Sequence, residues 1–94
     1  MENLTQKYQT IKDFTEKEDY SNAIKLVDEL IKENNKDDMA YYLKGNIFKK
    51  QNNWQEAINN YTLAIEINPE NPATTMRRIC IDILNFFNKD MFNH

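Results

Sequence analysis

A chain that repeats itself at a fixed spacing of a few tens of residues is built from one supersecondary unit used more than once. Sliding this sequence along itself until Tyr8 falls on Tyr42 also sets Phe14 on Phe48, Ala23 on Ala57, Ile24 on Ile58 and Ile31 on Ile65, without a gap. Tyr20 meets Trp54 and Val27 meets Tyr61 under the same shift. That constant offset is the period of the chain, and the copies are residues 4–37 and 38–71.

Each copy reads as two helices. In the second, Tyr41, Lys44, Gly45 and Phe48 fall at i, i+3, i+4 and i+7, one face of a helix over 39–50 with Asp37 or Asp38 as its cap. Gly45 lies in the middle of that face. A helix-interior glycine costs about 1 kcal/mol against alanine, so a neighbouring helix is expected to approach closely there. Residues 51–53 make a turn, Asn53 caps a helix over 54–67, and Pro69 ends it. The first copy gives helices over 2–18 and 20–33, with Asp19 as the cap between them. With one Gly and two Pro in 94 residues, little interrupts these helices, and no stretch alternates as a strand would. Asn71 and Pro72 then start a fifth helix, running to about residue 88, on which Met76, Cys80, Ile83, Leu84 and Phe87 form an apolar stripe. The expected interhelix core is Phe14, Ala23, Ile24, Phe48, Trp54, Ala57, Ile58, Tyr61 and Ala64.

Tyr41-x2-Lys44-Gly45-x2-Phe48, then Ala57-x3-Tyr61, Ala64 and Pro69, resemble one tetratricopeptide repeat, whose template is W-x2-L-G-x2-Y, A-x3-F and a closing P. The period of the chain is also the length of that unit, about 34 residues. Tyr41 stands where the template has Trp, and Lys44 where it has Leu. Residues 4–37 resemble a degenerate copy, with Ile11 in place of the helix glycine, Leu30 in place of the second small residue and Asn35 in place of the proline. The resemblance implies an all-α chain. Two helix-turn-helix hairpins would form a right-handed superhelical stack, closed by a C-terminal capping helix over 72–88 and followed by a tail over 89–94. All of it is expected to be one domain, 1–94. The whole chain also resembles the short two-repeat proteins of this family in Bacteroides-type bacteria, and on that basis it is expected to be complete.

Composition excludes several functions. The net charge is -3 with 29% charged residues of mixed sign. Without a long basic run, neither nucleic acid nor an anionic membrane is an expected partner. No apolar stretch approaches the roughly 18 residues of a membrane span, and the first ten residues lack the apolar core of a secretory signal. A cytoplasmic location is the simplest expectation. One glycine cannot make a phosphate-binding loop. The one histidine is His94, and no residues cluster at metal-ligand spacing, so no cofactor is expected. Cys80 sits on an apolar helix face with no His at helical spacing, as a buried thiol would. No enzyme is expected.

What remains is a surface for a protein or peptide partner. In tetratricopeptide stacks the first helix of each repeat lines a concave groove. Carrying those positions over implies a peptide-binding groove lined by Tyr8, Lys12, Tyr42, Asn46, Lys49, Lys50, Met76 and Arg77. The resemblance also offers a test for the family's carboxylate clamp, whose positions here read Tyr8, Lys12, Leu43, Ala73 and Arg77. Only Arg77 fits, so no preference for a free C-terminal acidic peptide is expected. The alternative is a homodimer formed through the apolar C-terminal helix and tail. In either case Ile83, Phe87, Met91 and Phe92 are the residues expected to self-associate or to cover the groove.

Overall fold

The computed structural model describes residues 2–88. Five helices, and no strand, occur among them: α1 (Leu4–Glu16), α2 (Tyr20–Glu33), α3 (Asp38–Lys50), α4 (Trp54–Ile67) and α5 (Ala73–Asn88).

The period is plainest at the helix ends. Asn3 and Asp37 accept hydrogen bonds from the backbone three positions on and so cap α1 and α3. Asn71, one further period along, accepts from Ala73 N at 2.8 Å at the start of α5. Asp19 and Asn53 cap α2 and α4 in the same way. α1 is shorter at both ends than the expected 2–18. At its start Asn3 and Gln6 exchange side-chain bonds in a capping box, which fixes Leu4 as the first helical residue. At its end Glu18 turns left-handed, at φ 62°.

That left-handed turn closes both first helices. Asp19 N donates to Phe14 O at 2.8 Å and Glu18 N to Thr15 O at 3.1 Å. The same pair of bonds recurs in the second copy, from Asn53 N to Phe48 O at 2.9 Å and from Asn52 N to Lys49 O at 3.0 Å, with Asn52 at φ 61°. This is the Schellman arrangement, whose left-handed position normally holds glycine. Asparagine tolerates it, whereas a glutamate there meets the Cβ clash that costs about 1–2 kcal/mol. Glycine removes the clash and returns part of the gain as backbone entropy. Glu18→Gly is therefore expected to stabilise the chain by about 0.5–1 kcal/mol, read as a higher urea midpoint at constant m-value. An unchanged or lower midpoint would contradict the strain argument.

Each helix packs chiefly on its sequence neighbours: α1 on α2, α2 on α3, α3 on α4 and α4 on α5, with a further contact of α1 on α3. The result is elongated, 56 × 28 × 18 Å, as expected where interactions are between neighbours along a stack. The interior divides in two. Ile11, Ala23, Val27, Leu30, Ala40, Leu43 and Ile47 form one cluster between α1, α2 and α3. Ala57, Tyr61, Ala64, Ala73 and Cys80 form the other, between α4 and α5.

Of the expected core, Ala23, Ala57, Tyr61 and Ala64 are fully buried. Phe14, Ile24, Phe48, Trp54 and Ile58 are only half-buried. On α3 the buried apolar residues are instead Ala40, Leu43 and Ile47, because that helix is covered on two sides. Ala40, Leu43 and Ile47 face α1 and α2, while Tyr41 and Phe48 pack toward α4. The single apolar face that runs through Tyr41 and Phe48 contains only the second set. Gly45 meets the expected close approach in the form of a side chain: a Cβ built there would stand 2.5 Å from Cε1 and 2.6 Å from Cδ1 of Tyr61.

Candidate functional site

Lys12, Thr15 and Glu16 of α1, Tyr42, Leu43, Asn46, Lys49 and Lys50 of α3, and Met76 of α5 line one open groove of about 390 Å³. Six of the eight expected groove residues are thus brought together. Tyr8 and Arg77 are not among the lining residues, and each is held elsewhere.

Tyr8 and Tyr42 occupy equivalent positions with different partners. The Tyr8 hydroxyl donates to both carboxylate oxygens of Asp37, each at 2.8 Å. Asp37 is only 8% exposed and also accepts from Ala40 N at 3.1 Å. Burial, then that bond and the charges of Asp37 and Asp38, push the Tyr8 phenol well above the usual tyrosine range. It stays a donor that ties α1 to the start of α3. The residue one period on from Asp37 is Asn71, 2% exposed, and its amide is already committed. Oδ1 caps α5 and Nδ2 donates to Asp38 at 2.8 Å. The Tyr42 hydroxyl makes no hydrogen bond among the described residues. Its ring lies against Tyr61, with centroids 6.0 Å apart, and lines the groove. A signal for this split was present in the sequence, since position 37 is a carboxylate and position 71 an amide.

Asp38 also accepts from Asn68 Nδ2 at 3.1 Å. Burial alone would raise its carboxyl. The bonds from Asn71 and Asn68, and from the backbone N–H groups of Asp38 and Met39, outweigh burial, and the group titrates below the usual aspartate range. The unfolded chain then binds this proton more readily than the folded one. The associated stability is present above about pH 4, the ordinary aspartate value, and is lost as pH falls through the lower native value. Asp38→Asn is accordingly expected to flatten the fall of the urea midpoint on acidification below about pH 4. Parallel pH curves for the two proteins would contradict this.

Arg77 Nη1 donates to Thr62 Oγ1 at 3.3 Å, which engages it with α4. Of the other clamp positions, Leu43 and Ala73 are buried apolar residues. Asn46 Oδ1 accepts the Tyr61 hydroxyl, and burial pushes that phenol well up, so it remains a donor. Asn46 Nδ2 makes no bond among the described residues. No buried side-chain nitrogen or oxygen there lacks a partner, so Nδ2 reaches solvent. An asparagine that could serve as donor and acceptor is thereby left with its donor end free.

Cys80 is fully buried. Burial raises its thiol against the opposing pull of the Lys49 ammonium, which disfavours the reactive thiolate. No group of three or more His, Cys, Asp or Glu among the described residues could hold a metal ion, and no helix there is long and apolar enough to cross a membrane. Ile83 is half-buried and Phe87 exposed. Met91 and Phe92 lie outside the described residues.

Residues 39–71 match the family described as Tetratricopeptide repeat. The fold is also that of the Bacteroides fragilis protein BF1650, solved by solution NMR. That protein is 45% identical, with a TM-score of 0.83, and the match covers 92% of this chain and 88% of that one. The chain belongs to the tetratricopeptide repeat family. No curated protein matches it. Tetratricopeptide repeats generally mediate protein–protein interaction, and proteins built from them are typically non-enzymatic scaffolds. The structure accounts for one departure from the template. Lys44, in the leucine position, sends its ammonium to Asp28 of α2 at 2.8 Å, so that position joins the two hairpins by an ion pair.

Proposed function

We propose that the protein is a non-enzymatic interaction module that holds a peptide or protein segment in the groove between α1, α3 and α5. The observation that carries this reading is the convergence of Lys12, Tyr42, Asn46, Lys49, Lys50 and Met76 on one opening. Tyrosine offers rigid contact area, and the asparagine and lysines offer directional donors. Residues 4–37 act as a degenerate first repeat, 38–71 as the second, and α5 closes the stack. A cytoplasmic setting agrees with the sequence. The reading is tested by placing a photo-crosslinking residue at Tyr42 and, separately, at Leu63, which lines a different opening on α4. Protein adducts from position 42 and not from 63 are expected in the native cell. Adducts from 63 alone would move the site.

Phe86 and Phe87, 75% and 68% exposed, favour a second reading. Their rings meet edge to face, with centroids 5.7 Å apart. On this reading the C-terminal helix and tail pair with a second copy. Sedimentation equilibrium of the full chain and of a chain ending at Asn88 separates the two. A dimer that becomes a monomer on shortening would establish the self-associating protein, and a monomeric full chain would remove it.

A further inference from the structure

The groove's electrostatics narrow the partner's chemistry. The chain as a whole carries a net charge of -3, yet the groove sets the ammonium groups of Lys12, Lys49 and Lys50 against the one carboxylate of Glu16. None of these lysines is in an ion pair among the described residues; the pairs formed there are Lys44–Asp28 and Arg78–Asp82. Asn46 adds a further donor, because Tyr61 occupies its oxygen. The groove therefore offers donors almost throughout, and its unpaired cations call for acceptors that bear charge.

The donors are separated from an apolar end. Tyr42 and Met76 share one position of the period, and both line the groove. Asn46 and Lys12 share the position one helical turn on, about 6 Å along the axis. Lys49 and Lys50 follow after another turn. The clamp positions supply no cluster for a chain terminus, since Leu43 and Ala73 are buried apolar residues and Arg77 bonds to Thr62.

Resting on the groove reading above, we infer that the partner is an internal, extended protein segment in which an apolar side chain is followed by acidic ones. The apolar side chain sits against Tyr42 and Met76, and a backbone carbonyl accepts from Asn46. The acidic groups meet Lys12, Lys49 and Lys50. An extended chain advances about 3.3 Å per residue, which puts the acids two to four positions from the apolar anchor.

The test is an amide-resolved NMR titration of the full chain with three pools of seven-residue peptides, capped at both ends. One pool is randomised over Asp, Glu, Leu and Phe, the second over Asn, Gln, Leu and Phe, and the third over Lys, Arg, Leu and Phe. The acidic pool is expected to shift the amides of Lys12, Tyr42, Asn46, Lys49 and Lys50 with an affinity about tenfold above the neutral pool, and to weaken as salt rises. In a folded Lys49→Glu/Lys50→Glu variant the preference should pass to the basic pool, a gain that loss of structure cannot mimic. Groove shifts that are equal for the acidic and neutral pools, or strongest for the basic one, would leave the groove reading standing and overturn the acidic partner. An equal response to inorganic polyphosphate would also overturn it, since charge without an apolar anchor would suffice. Shifts outside the groove only, or none from any pool, would remove both readings.

Discussion

Tyr61→Ala is expected to destabilise the chain by about 3–5 kcal/mol, the range for truncating a fully buried aromatic ring. Tyr61 is the largest fully buried side chain among the described residues, and both its ring and its hydroxyl engage α3. It fills the space above Gly45, packs against Tyr42, and bonds to Asn46 through its hydroxyl. Chemical denaturation of the variant measures the loss, and Tyr61→Phe apportions it. The phenylalanine keeps the ring and gives up only the hydrogen bond, about 1 kcal/mol. It should also release Asn46 to turn, which would appear as a shift of the Asn46 side-chain amide resonances. Equal losses for the two variants would mean that the hydroxyl, and not the ring, holds α3 to α4.

Gly45→Ala is expected to destabilise even though alanine is the better helix former. The propensity gain is about 1 kcal/mol. Against it stands a methyl group 2.5 Å from a tyrosine ring that is itself wholly buried and so has no room to withdraw. Overpacking of this kind costs about 1–3 kcal/mol, and a contact this short belongs at the upper end, leaving a net loss of about 1–2 kcal/mol. The decisive measurement is the double variant. Once Tyr61→Ala has removed the ring, Gly45→Ala should become stabilising by about the propensity difference, a change of sign within one double-mutant cycle. A loss of the same size in both backgrounds would place the reason for Gly45 elsewhere, in the backbone of α3.

The two variants bear on function as well as stability, because the same ring sets the free end of Asn46. A chain with a loosened Tyr61 would lose the ordered donor at Asn46, on which the proposed recognition in the groove rests. Stability and binding are therefore expected to fall together at this position. At Lys49 and Lys50, which form no ion pair among the described residues, binding is expected to change with little effect on the fold.

Much of the molecule was legible before any contact was known. The helices and their order, and the ends of all but α1, which is shorter than the expected 2–18, follow from signals that act over a short span of chain. The caps at Asn3, Asp37 and Asn71, and at Asp19 and Asn53, satisfy backbone groups only three positions away or fewer. The left-handed turns at Glu18 and Asn52 are equally local. Gly45 declared a close approach because its cost in a helix demands compensation from somewhere. The tetratricopeptide pattern rests on the same short-range spacings.

What only the tertiary structure decided depends on partners in other helices. Tyr8 and Tyr42 are the same residue at the same position of the period, yet Asp37 draws one to the junction between hairpins and leaves the other in the groove. Arg77 looks available on its own helix and bonds to Thr62. On α3, Leu43 and Ile47 lie deeper than Phe48 because that helix is enclosed from two directions, which no single helical face can express. Periodicity states which residues share a face of one helix. Which side chain wins a given partner depends on distances between helices, and those exist only once the stack is assembled.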